Sequence, residues 1–282
     1  MQRVAIIGAG ELGGAAAHLL ARRDLARSIT LVDETGRIAA GKALDIAQAA
    51  PIEGFATQLS GTNDVSTAAG AEVVMLADRV GGGEWQGEDG LLLLRRLAQT
   101  APGAIVVCAG AGQRDLVERG VRELRWPRAR LFGSAPEALA GGARALVALA
   151  VNGSPRDVGL SVLGVPPHHT VIPWADATVA GFALARLVDE PSRRRLGARV
   201  AALWPPGPYA LAAAAMMVID GIAGRSRRTA SCFVAPGVEE GAGTHTRTGA
   251  MPVRLGPGGI VEVLLPSLSV VEQVALDNAM QL

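Results

Sequence analysis

The chain alternates between short, nearly continuous apolar runs and longer stretches whose apolar residues recur at helical spacing. Residues 4–7, 72–77 and 104–109 are the purest runs; 28–32, 57–60 and 129–132 are shorter or more mixed. Such runs predict strands buried on both faces of a sheet. Between them, 12–21, 36–49, 90–99 and 114–124 predict helices, the third with Arg95 and Arg96 on its polar side. Strands alternating with helices predict a parallel sheet covered on both faces. This first domain spans 1–133.

The pattern changes after Gly133. An Ala-rich helix is predicted at 137–151 and a strand at 158–163, then a loop from Gly164 to His169. Helices at 191–203 and 208–221 precede strands at 230–235, 251–255 and 260–264. Gly256-Pro257-Gly258-Gly259 joins the last two as a hairpin turn. A closing helix spans 267–280, with Ser267 as its N-cap. The fold class is therefore α/β. A Rossmann-type doubly wound parallel sheet is followed by a mixed α+β, substrate-type domain, 134–282.

The most informative stretch follows the first strand: Gly8-Ala9-Gly10-Glu11-Leu12-Gly13. In Gly-x-Gly-x-x-Gly the first glycine permits a tight strand-to-helix turn. The second lets backbone approach a pyrophosphate, and the third lets helix pack on strand. The phosphates would sit on free N–H groups at the helix N-terminus. The second strand ends in Asp33, twenty residues beyond Gly13. An acid there hydrogen-bonds a ribose 2′-hydroxyl and repels a 2′-phosphate, which favours NAD over NADP. The predicted cofactor contacts are Gly8, Gly10, Glu11, Leu12, Gly13, Asp33 and Ala77, where the fourth strand ends.

Composition narrows the partners. A net charge of +1 carries no electrostatic footprint for nucleic acid. Apolar residues make up 49% but aromatics only 3%, so the core is built from Ala, Val and Leu. Cys108 and Cys232 sit in apolar runs and read as buried hydrophobes, neither a disulfide framework nor a metal site. No apolar run nears the ~18 residues that span a bilayer. The first strand begins too close to Met1 for a signal peptide, so a cytoplasmic protein is expected. The arginines at 193–195 and 225–228 read as solvated faces. Trp85 reads as a lid aromatic or a half-exposed loop residue. His18 and His245 read as surface or packing residues, and the stretch 244–248 carries no assigned chemistry.

Over nearly its full length the chain resembles the malate/lactate dehydrogenase family. The resemblance rests on 8–13, Leu31-Val32-Asp33, Gly41-Lys42-Ala43-Leu44-Asp45, Gly61-Thr62-Asn63-Asp64 and Glu88-Asp89. Further on it rests on Asp157-Val158, Val162-Leu163-Gly164, Thr178-Val179-Ala180-Gly181 and Pro252-Val253-Arg254-Leu255-Gly256. It implies hydride transfer between NAD and a 2-hydroxy acid, and assembly as homodimers or homotetramers. Lys42 and Asp45 are implied to be structural or interface residues.

That chemistry needs a His for the proton, an Asp to orient it, and arginines for the substrate carboxylate and carbonyl. The family's His falls here at Pro166, with His168 and His169 next along. The orienting Asp falls at Leu139, with Glu137 as the nearest acid. The carboxylate-binding Arg falls at Gly142. Arg144 lies about 200° of helical rotation away, on the other face. The loop arginines fall at Gly81, Gly82 and Gly87, leaving Arg79. The Asn that touches the nicotinamide ribose falls within Gly110-Ala111-Gly112. The loop from Asp78 to Asp89 instead carries four acids and one Arg, a field that would repel a dicarboxylate. Five empty roles beside an intact dinucleotide loop predict an NAD-binding protein whose hydride transfer is impaired or lost. The alternative is an active oxidoreductase rebuilt around His168 as base, with Arg79 or Arg144 as anchor. No metal site is expected, because His168 and His169 lack a third ligand.

Overall fold

The computed structural model describes residues 1–237 and 246–281. Its first part runs β1 (Arg3–Ile7), α1 (Glu11–Arg22), β2 (Ser28–Val32), α2 (Gly36–Glu53), β3 (Gln58–Thr62) and β4 (Val73–Leu76). It continues through α3 (Gly87–Thr100), β5 (Ile105–Cys108), α4 (Arg114–Leu124) and β6 (Leu131–Gly133). These six strands are parallel, in the order β3-β2-β1-β4-β5-β6. The order reverses direction between β1 and β4, where doubly wound sheets bind ligands.

Alternation along β1 builds two cores. Val4 and Ile6 join Leu20, Leu31, Met75 and Val107 on the face covered by α1. Ala5 and Ile7 join Leu76, Leu94, Leu97 and Leu116 beneath α3 and α4.

The second part runs α5 (Ala135–Ala150), β7 (Val158–Gly159), β8 (Leu163–Val165), β9 (His169–Val171), β10 (Thr178–Val179) and β11 (Phe182–Ala183). Then come α6 (Glu190–Ala201), α7 (Pro208–Ile222), β12 (Ala230–Val234), β13 (Gly249–Gly256), β14 (Gly259–Val263) and α8 (Val270–Gln281). Its antiparallel strands extend the parallel sheet: β12 pairs with β6 at Phe233 and Gly133, and β13, β8 and β9 follow. The sheet thus continues across residue 133. Small residues let α7 lie on the same core as α1, with Ala16 and Ala17 sharing it with Ala212 and Ala215. No described helix is long and apolar enough to cross a membrane.

Several elements depart from the sequence pattern. Segment 158–163 is not one strand. Val162 N–H donates to Ser231 Oγ at 3.0 Å, and the flanking residues pair in two different sheets. Helix α2 runs on through Pro51 and closes at Gly54, whose φ of +78° suits glycine. Helix α3 begins at Gly87, three residues early, so its preceding loop is shorter than expected. The cap of α8 is Ser269 rather than Ser267. Ser269 N–H donates to Glu272 Oε2 at 2.7 Å, and Ser269 Oγ accepts from Glu272 N–H at 3.4 Å, a reciprocal capping box.

Among the tightest contacts in the fold is that at Gly13, where an added Cβ would lie 2.0 Å from the Gly8 carbonyl oxygen. Backbone cannot yield there as a side chain can. Gly13→Ala is expected to lower stability by about 1–3 kcal/mol, the usual cost of overpacking, read from the urea midpoint.

Candidate dinucleotide site

The β1–α1 turn is held from three sides. Gly8 takes φ +114° and donates its N–H to Val32 O at 2.7 Å. Gly10 N–H donates to Asp78 O at 2.9 Å, and Lys42 Nζ donates to Gly10 O at 2.6 Å. Lys42 therefore fixes the loop from α2. The free amides at the start of α1 form the donor set a diphosphate needs.

Those donors are engaged by the chain itself. Asp78, at the end of β4, turns its carboxylate onto α1. Oδ2 accepts from Glu11 N–H at 2.8 Å and Oδ1 from Gly13 N–H at 3.0 Å. An added Cβ on Gly10 would lie 2.3 Å from that carboxyl group. The space above Gly10 is thus filled by Asp78. Glu84 does the same at the end of β5. Its oxygens accept from Ala111 N–H at 2.9 Å and Gly112 N–H at 2.8 Å.

Asp33 is only 3% exposed. Oδ2 accepts from Ala9 and Val80 N–H at 2.9 and 3.0 Å, and Oδ1 from Thr35 N–H at 2.9 Å. Here it staples the glycine loop to the segment after β4. Ala77 and Leu12 are buried in the core beneath the turn.

The loop acids do not form the repelling field expected of them. Asp78 and Glu84 neutralise backbone amides. Glu88 pairs with Arg119 at 2.7 Å, and Asp89 lies 3.8 Å from Arg79. Trp85 is not half-exposed. It is 9% exposed, within the core under α3, with the Arg79 guanidinium 4.7 Å above its ring. These placements needed the tertiary fold, because the signal in the sequence was only an acidic, glycine-rich loop.

The positions to which the resemblance assigns proton transfer and acid binding are apolar. Leu139 is fully buried in the cluster of α5 with Val158, Ile172 and Leu196. A Cβ on Gly142 would meet Leu203 at 2.6 Å, so a leucine fills the space an arginine would need. Pro166 is buried, and Gly87 opens α3 at φ +55°. His168 and His169 are exposed in the hairpin between β8 and β9, and His168 has no hydrogen-bond partner among the described residues. His18 bonds to Glu53 at 3.1 Å, joining α1 to α2. His245 and Thr244 lie outside the described residues.

Glu137 and Arg144 pair on the opposite face of α5, and Glu137 Oε2 accepts from Ser231 N–H at 2.7 Å. They border a cleft of about 830 Å³ that also touches Arg156, Asp157 and Arg228. Burial pushes the Glu137 carboxyl up despite the pull of Arg144. The buried Cys108 thiol is likewise held far above its ordinary value, first by burial and then by Glu84.

Known proteins converge on one assignment. Residues 2–86 match the lactate/malate dehydrogenase NAD binding domain family. Malate dehydrogenase of Thermomicrobium roseum is 29% identical over 99% of this chain and 94% of its own. That of Thioalkalivibrio sulfidiphilus is 28% identical over 99% and 96%. Among solved structures, malate dehydrogenase from Salinibacter ruber superposes with a TM-score of 0.88 at 24% identity, covering 99% of this chain and 94% of its own. The lactate dehydrogenase of Cryptosporidium parvum, solved with lactic acid and nicotinamide adenine dinucleotide, gives 0.89 at 20% identity, with the same coverage.

The chain is similar to malate and lactate dehydrogenases over nearly its full length.

The first part is an NAD-binding Rossmann unit, and NAD is its cofactor. The amides of α1 and the glycine turn fit a diphosphate. The side chain of Asp78 lies where it would be received.

The raised Glu137 carboxyl makes stability depend on pH. The native state holds that proton more tightly than the unfolded chain, whose value lies near 4.5. Its contribution is complete below that value and is lost as pH rises through the raised one. Urea unfolding from acid toward neutral pH should show this loss, and Glu137→Gln should flatten it.

Proposed function

We propose that this chain is an NAD-binding member of the malate/lactate dehydrogenase family that has lost hydride transfer to 2-oxo acids. The observation that carries this reading is the packing around α5. Leu139 lies in an apolar cluster and Leu203 fills the space over Gly142. A substrate carboxylate placed there would be buried without a partner, at a cost of several kcal/mol. Among the described residues no acid is bonded to the exposed His168, which weighs against a site rebuilt around it. Arg144 is committed to Glu137 and Leu160 O on the far face of α5. Residues 1–133 would hold the dinucleotide, and 134–282 would be the former substrate part, acting in a structural or regulatory role. The test is NADH oxidation with oxaloacetate and with pyruvate at high protein concentration. No turnover is expected, and a rate above ~1 s⁻¹, within the ordinary enzyme range, would refute the loss.

The same reading includes a cytoplasmic homodimer or homotetramer. Ile38, Leu44 and Ile52 are exposed on α2, and Tyr209 is 71% exposed at the start of α7. Tyr209 lines a groove between α1 and α2 together with Lys42 and Asp45. Apolar side chains gathered on one helix suit an isologous contact between copies. Sedimentation should give a dimer or larger species, with Leu44→Glu shifting it toward monomer; a wild-type monomer would contradict this.

A further inference from the structure

We infer that residues 78–87 form a strap whose two carboxylates are a built-in ligand for the dinucleotide seat, so that NAD binds only when the strap leaves it. The inference rests on the dinucleotide-binding reading above and adds how that site is regulated.

Each end of the seat is closed by one acid. Asp78 takes the Glu11 and Gly13 amides at the head of α1, and Glu84 takes those of Ala111 and Gly112 before α4. A carboxylate accepting two backbone N–H groups offers those donors what a phosphate oxygen pair would. The two anions cannot share them. The filled space above Gly10 makes the exclusion steric as well as electrostatic.

The strap is fastened but built to move. Val80 N–H is held by Asp33, and Trp85 O accepts from Gln113 Nε2 at 3.3 Å. Gly81 and Gly87 adopt φ of +66° and +55°, and a Cβ on either would meet nothing within 4 Å. Arg79 Nε and Trp85 Nε1, both on the strap, are buried without hydrogen-bond partners among the described residues. Buried donors left unpaired are rare, and they weaken the closed arrangement relative to an open one in which water reaches them. A ligand that binds only the open state has its apparent affinity reduced by the open fraction, so opening the strap permanently restores that factor.

Calorimetry with NADH and with ADP tests this on the full chain. Asp78→Ala should tighten both ligands at least fivefold. Glu84→Ala should tighten NADH at least fivefold and leave ADP unchanged, because ADP lacks the half that would reach Ala111 and Gly112. Smaller gains for Asp78→Ala, or no change, overturn the inference. Thermal unfolding by circular dichroism verifies the fold of each variant. Amide hydrogen exchange on the wild type is a check that needs no variant. Saturating NADH should speed exchange across 79–86; a strap that stays protected while NADH is bound overturns the inference and leaves the dinucleotide-binding reading standing. If neither ligand binds the wild type or either variant, both readings fall.

Discussion

The close approach of α1 to the end of β1 governs everything built around it. With no Cβ at Gly13, the first turn of the helix rests on the Gly8 carbonyl. The helix N-terminus therefore opens directly over the sheet, at the place where strand order reverses. Its first amides have no helical partners and require an acceptor. Family relatives with a nicotinamide cofactor can meet that need with a ligand. Here Asp78 meets it from within the chain.

The same constraint explains the order of the surroundings. Asp33 ties the glycine loop to Val80, and Lys42 ties it to α2. The loop is a junction of four elements, β1, β2, α2 and the segment after β4. Charges that look hostile to an anion along the sequence are thereby consumed locally. Each finds an amide or an arginine, and little of their field is left to point into solvent.

Helix α5 presents two unlike faces. The face toward Leu203 carries Leu139 and Gly142 in apolar packing. The other face keeps an ion pair, Glu137 with Arg144, beside a polar cleft. Because the two faces are about half a turn apart, repacking one leaves the other untouched. Small side chains in α1, α5 and α7 allow the helices to approach the sheet closely, as a core nearly devoid of aromatics requires.

Periodicity and the glycine turn were enough, by themselves, to specify the parallel sheet, its helices and the place of the dinucleotide loop. Buried strands must be continuously apolar, and only glycines allow that turn, so both constraints are local and visible in the chain. The apolar character of Leu139, Gly142 and Pro166 was legible for the same reason, since the residue at each position is written in the chain. The tertiary structure alone decided where the acids of the 78–89 loop point, that Trp85 is buried, and that Leu203 fills the space over Gly142. It also decided that Ser269 rather than Ser267 caps α8 and that segment 158–163 divides between two sheets. Each of these depends on a partner distant in sequence, Asp78 on Glu11 and Gly13, Glu84 on Ala111, Val162 on Ser231. A one-dimensional pattern carries no record of which amide a carboxylate will meet once the chain has folded.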